Sequence, residues 1–290
     1  MTIEIHPLPQ PFAGGPTITG RDALALIEEA WQLTASTFAR QQLREYQDAQ
    51  LASGRKAPPG LWHPWIPGFA WWVPLRLVKA HRLPPPPAAI LVVHDMLALK
   101  EVPGVLPAHQ DDVVRRIMRQ PQATLWELRA AALYAGAGIE AEWAEVTSPG
   151  SGRPDVWIPG HEAAIQVKCL EPHEEPLDDL ERVFGNLHRA HHQLKFGGPT
   201  CALIAIPRAY SFKAWDPVDS PFRKTLRDWF SEPEFARVSA VTFAGEPRFA
   251  ALGRRGLFHF GHFAWSFLNP NAAVPWPKDL PLLSDGPGAS

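Results

Sequence analysis

Cysteine is scarce: Cys169 and Cys201 are the only two in 290 residues. That count argues against a disulfide framework and points to a reducing, cytoplasmic setting. Long apolar runs free of charge are missing too, so no bilayer-spanning helix and no membrane partner is expected. The opening residues, Met1-Thr-Ile-Glu-Ile-His-Pro, lack a basic stretch followed by an apolar one, which argues against a secretory signal. Positive charge is not in excess: 28 Lys and Arg stand against 30 Asp and Glu. A general nucleic-acid coat needs many phosphate neutralisations and is disfavoured by that balance. An acidic metal pocket inside a local basic rim is not. Internal repeats are absent.

What the chain has in quantity is proline, 32, and tryptophan, 12. Disordered segments are poor in aromatics, so this mixture reads as ordered loops packed by large rings. A hydrophobic content of 46% supports one large domain or a core plus an appendage.

Prolines at 7, 9, 11 and 16 make an extended lead over residues 1–18. Thr19-Gly-Arg-Asp22 starts a long amphipathic helix reaching about Gln50, with a break near Thr34–Thr37. Residues 53–87 read as a loop-rich shell over a hydrophobic surface, and Ala88–Leu97 as a short buried strand or helix end. Residues 1–105 are thus a helical, Pro/Trp-rich region. A second region, 106–274, opens on a short basic helix at Asp111–Arg119. A helix at Ala123–Ala135 follows, ended by Gly136 and Gly138. Ile139–Val146 alternates as a strand, and Val156–Ile158 and Ala163–Cys169 form two more around a Pro159-Gly160 turn. Then come a helix at Leu177–Lys195, an apolar central strand at Thr200–Pro207, a helix at Phe222–Phe230 and a strand at Val238–Phe243. Phe258–Phe267 packs a sheet edge, and Pro275–Ser290 is a loose tail. The α-β-β-β-α-β order from 123 to 207 predicts an α/β sheet with helices on both faces.

Chemistry concentrates between Glu127 and Lys168. Period two along a strand puts Gln166 and Lys168 on one face and the apolar Ile165, Val167 and Cys169 on the other. The neighbouring strand opens with Asp155. Polar groups on a central sheet need partners, since leaving one unpaired costs roughly 1–3 kcal/mol. Mg²⁺, with Mn²⁺ as a substitute, would supply them, because it takes oxygen ligands and keeps waters. Asp155 is then the anionic ligand, and the Gln166 side-chain carbonyl and Val167 backbone carbonyl are neutral ones. Lys168 sits beside an attacking water or stabilises developing negative charge. Glu127, on the preceding helix, could hold a water on the ion or a second ion, and Glu142 or Glu145 could do so more weakly. The bland alternative is a structural Asp155–Lys168 ion pair.

Arg-Pro-Asp155 followed after a hairpin by Gln166-Val-Lys168, with Glu127 on the first helix of an α-β-β-β-α-β order, resembles the PD-(D/E)xK restriction-endonuclease-like superfamily. The resemblance covers about 121–207. It implies a central mixed sheet and Mg²⁺-dependent hydrolysis of phosphodiester bonds in DNA. It gives Asp155 and Lys168 the metal-ligand and catalytic-lysine roles, Glu127 that of the first-helix acid, and makes Gln193 a candidate on the following helix. Gln166 stands where most members carry an acid; Mrr-type members share the Gln-x-Lys form. One negative charge fewer weakens Mg²⁺ binding, which keeps a catalytically silent binding or assembly module in view, with 58–78 as its surface. A Trp-rich carbohydrate or peptide binder rests on composition alone.

Other groups read blandly. His188, His191 and His192 have zinc-compatible helical spacing but no accompanying Cys or acidic motif. His161 is an exposed turn residue. Cys169 and Cys201 are small core hydrophobes.

Overall fold

A computed structural model describes residues 17–53, 62–78, 86–147, 153–170, 180–206, 220–245, 248–252, 257–261 and 264–282. The chain falls into two compact units, one built on residues 15–129 with 249–260, the other on 130–248 with 261–290. The sequence reading drew its boundary at 105; the units part at Arg129, inside a helix.

The first unit is mainly helical. Helix α1 (Gly20–Thr34) starts on a capping box, with the Asp22 N–H donating to Thr19 and the Asp22 carboxylate accepting from Thr19. A π-helical turn, Ala35–Ala39, separates it from α2 (Arg40–Ser53). Thr34 donates its hydroxyl to the Ala30 carbonyl at 2.9 Å there, a bond that bends helices. The expected break near 34–37 is thus a π insertion rather than an end.

Two further helices correct the sequence reading. The stretch read as loop-rich shell contains α3 (Ile66–Val78), and Ala88–Leu97 lies within α4 (Pro87–Glu101), which has proline at its first position. Gly68 lets them meet closely: a Cβ there would sit 2.9 Å from the Ala88 carbonyl oxygen. Trp65, Phe69 and Trp72 are buried, with the Phe69 ring 5.3 Å from that of Trp31. These rings fill a core, which removes them as a carbohydrate platform. Helices α5 (Gln110–Arg119) and α6 (Pro121–Gly136) follow. Strands β1 (Thr17–Thr19), β7 (Arg248–Leu252) and β8 (Leu257–Gly261) form a three-stranded sheet in the order β1-β8-β7.

The second unit is an α/β sheet of six strands: β2 (Glu142–Trp143), β3 (Val156–Ile158), β4 (Ala163–Cys169), β5 (Thr200–Ile206), β6 (Ala240–Gly245) and β9 (Ala264–Leu268), side by side in that order. The sheet is mixed. β4, β5 and β6 run parallel; β2, β3 and β9 pair antiparallel to their neighbours. Parallel neighbours need crossovers, supplied by α8 (Leu180–Gln193) and α9 (Ser220–Ser231), after a single helical turn α7 (Ala144–Thr147). β5 is apolar from Cys201 to Ile206 and buried at every residue, as a central strand covered on both faces must be. One face packs Ala202, Ile204, Val241, Phe243 and Phe267 against Val183, Leu187 and Leu226.

Strand β2 is shorter than the expected 139–146, because α7 takes over at Ala144. Trp276, Leu280 and Leu282, in the stretch read as a loose tail, are buried. The 177–179 part of the expected helix, the 1–16 lead and residues 283–290 lie outside the described residues.

Candidate functional site

The register of β3 on β4 explains the polar cluster. Val156 pairs with Ile165, so Asp155 falls opposite Gln166 and Pro154 opposite Val167. The Ala164 and Leu170 N–H groups point at the β5 side, donating to Pro199 and Ala205, each at 2.9 Å. Val167, odd where they are even, therefore turns its backbone toward β3. A proline there has no N–H to offer the Val167 carbonyl, and the ladder opens. The Asp155 carboxylate fills half the gap: Val167 N donates to Oδ2 at 2.6 Å, and Gln166 Nε2 donates to the same oxygen.

That second bond fixes the amide. A carboxylate accepts only, so the Gln166 nitrogen must face it and Oε1 must face away. Oε1 is buried and has no hydrogen-bond partner among the described residues. Asp155 is 5% exposed and Gln166 4%, so water compensates little. An acceptor left bare in such a place costs roughly 1–3 kcal/mol.

Lys168 lies two residues further on the same face, half-buried, beside Ile204 of β5. Among the described residues it makes no ion pair, so the Asp155–Lys168 bridge of the bland alternative does not form. Glu142 pairs in register with Trp157, which places its side chain on this face as well, also half-buried. Glu145 lies on α7.

Glu127 belongs to the helical unit, and its Oε2 accepts from Arg116 Nη2 at 2.9 Å. Its carboxylate is therefore held by a guanidinium of its own unit. Gln193 ends α8, exposed, with no bond to Asp155, Gln166 or Lys168 among the described residues. The histidines of α8 are packing groups. His188 and His191 stand edge-on to Phe235 with ring centroids 4.8 and 4.7 Å away, and His191 Nε2 lies 2.7 Å from the Glu234 carbonyl oxygen. Burial, then the Arg237 and His192 charges, holds the His191 pKa below its ordinary value. His161 is half-buried, 3.4 Å from Asp279. Cys201 is buried and pushed up to about 12, chiefly by burial, so it is an inert thiol; Cys169 is half-buried.

A second polar cluster, in the helical unit, was not visible in the sequence. Asp95 is fully buried; Oδ1 accepts from Arg129 Nε and Oδ2 from Trp65 Nε1, both at 2.8 Å. Arg129 also lies over the Trp126 ring, 5.1 Å from its centroid. Burial alone would raise the Asp95 pKa; Arg129 and the adjoining His94 and Trp65 donors outweigh it and hold the carboxyl below its ordinary value. The cluster hides because its members lie 30 and 34 residues apart in sequence.

No family model, curated protein or solved structure matches the chain. No group of three or more His, Cys, Asp or Glu converges among the described residues. The oxygens named on β3 and β4, one carboxylate, one amide oxygen with no hydrogen-bond partner among the described residues and one backbone carbonyl, are of the hard kind that a divalent cation takes. No helix among the described residues is long and apolar enough to cross a membrane.

Proposed function

We propose that the chain hydrolyses phosphodiester bonds in DNA, using Mg²⁺ or Mn²⁺, on a restriction-endonuclease-like core in a cytoplasmic setting. The observation that carries the reading is the bare, buried Gln166 Oε1 beside Asp155. A cation is the partner such an oxygen lacks. Asp155, Gln166 Oε1 and the Val167 carbonyl would hold it, and Glu142 lies on the same face. When bound, the ion supplies Lewis-acid polarisation of a phosphoryl oxygen and neutralises its charge. Lys168 brings an ammonium to the face and stabilises the negative charge that develops as a water adds to phosphorus. Asp155 also ties β3 to β4 through the Val167 N–H, which keeps ligand and lysine in register.

The second reading is a silent module of the same fold. It draws on Glu127 being held by Arg116, and on the Asp155 carboxylate already bridging two strands. Supercoiled plasmid incubated with Mg²⁺ or Mn²⁺ separates the two. Nicking by wild type that is lost in Asp155→Ala and Lys168→Ala supports hydrolysis. No nicking by wild type supports the module, and nicking that does not need the metal contradicts the metal-dependent reading.

A further inference from the structure

The same sheet face carries a second feature. Trp157 follows Asp155 by two residues and pairs with Ala164, so its ring shares the face of Asp155 and Gln166, about 7 Å along the strand. Phe196, from the segment joining α8 to β5, meets it edge-on with ring centroids 5.0 Å apart. Phe196 is 39% exposed, yet it is built in rather than adrift. Gly198 lies directly against its ring: a Cβ at 198 would come within 2.6 Å of Phe196 Cε1 and 2.5 Å of the Glu162 carbonyl oxygen. Only a residue without a Cβ lets the ring lie there. Arg153 and Lys195, both exposed, neighbour Asp155 and Phe196 in the chain, and Lys168 is half-buried on the face.

We propose that Phe196, braced by Trp157 and Gly198, is a stacking station for an unpaired base, and that the site takes single-stranded nucleic acid in preference to duplex. A base in a duplex has its faces covered by neighbours; an unpaired base can lay one on an aromatic ring. The inference rests on the hydrolytic reading of this face.

The test is binding without turnover. Fluorescence anisotropy in EDTA compares a labelled 20-mer oligothymidylate with a duplex of equal length. Wild type is expected to bind the single strand more tightly. Phe196→Ala is expected to lose about tenfold of that affinity, the scale of one stacked base, with duplex binding unchanged. Phe196→Trp is expected to restore it; because the position is exposed, both variants keep the fold, checked by circular dichroism. Equal affinity of Phe196→Ala and wild type for the single strand overturns the inference, as does tighter duplex binding by wild type. Phe196-dependent binding without any Mg²⁺-dependent cleavage upholds the station and overturns hydrolysis instead.

Discussion

Two buried polar clusters, around Asp95 and around Asp155, differ in how they are closed. Around Asp95 both carboxylate oxygens accept, one from a guanidinium and one from an indole, and the group is sealed at 0% exposure. Around Asp155 the carboxylate is bonded, but among the described residues its partner Gln166 has a bare oxygen and Lys168 makes no ion pair. A closed network is a structural device. An open one leaves an acceptor at Gln166 Oε1, one of several buried polar atoms without a hydrogen-bond partner among the described residues, and under the proposed function a ligand would fill it.

Substitutions should sharpen that contrast. Arg129→Leu strands a buried carboxylate and is expected to cost about 3–5 kcal/mol in urea unfolding. Lys168→Met, at a half-buried position of β4, should stay within about 1 kcal/mol of wild type while removing cleavage. Comparable losses from both would erase the distinction.

Acid should strike the helical unit next. Burial, partly offset by Asp95, lowers His63 to about 4 from its ordinary 6.5. The folded state therefore keeps this ring neutral while the unfolded chain takes up a proton. The contribution is complete above about pH 6.5, falls as pH drops toward 4, and levels off below. The loss is roughly 3 kcal/mol across that window. His63→Gln should flatten the slope of unfolding free energy between pH 6.5 and 4.5 by about 1 kcal/mol per pH unit; an unchanged slope would contradict the assignment.

Asp155→Ala removes the acceptor of two buried donors and should cost roughly 1–3 kcal/mol by the same unfolding measurement, with metal absent. A smaller effect belongs to Gln166→Glu. Two adjacent carboxylates repel when no cation is present, so the metal-free melting temperature should drop by a few degrees. Mn²⁺ should then raise it more than in wild type. A variant that ignores Mn²⁺ would speak against ligation at 166.

The shared strand face of Asp155, Gln166 and Lys168 was more legible in the sequence than the helices were. Asp155, Gln166 and Lys168 lie on adjacent short strands, where period two and a proline at the strand mouth reveal the shared face directly. The Glu127 ion pair went unseen because its partner, Arg116, lies on another helix, and sequence spacing carries no sign of it. Helices α3 and α4 escaped because both are apolar on most faces and α3 has Pro74 inside it, so neither shows a clean 3.6 period. Strand β2 was overextended for the opposite reason: burial alternates from Ile139 to Trp143, but the backbone turns helical immediately after. Phe196 gave no signal, since its neighbour Trp157 is 39 residues earlier and only the loop before β5 unites them.

The most direct trial of the open cluster is Mn²⁺ binding followed by electron paramagnetic resonance of the free ion. One Mn²⁺ per chain, lost in Asp155→Ala and retained in Lys168→Ala, is the predicted result. Equal Mn²⁺ uptake by wild type and Asp155→Ala would mean that the bare oxygen of Gln166 faces no cation.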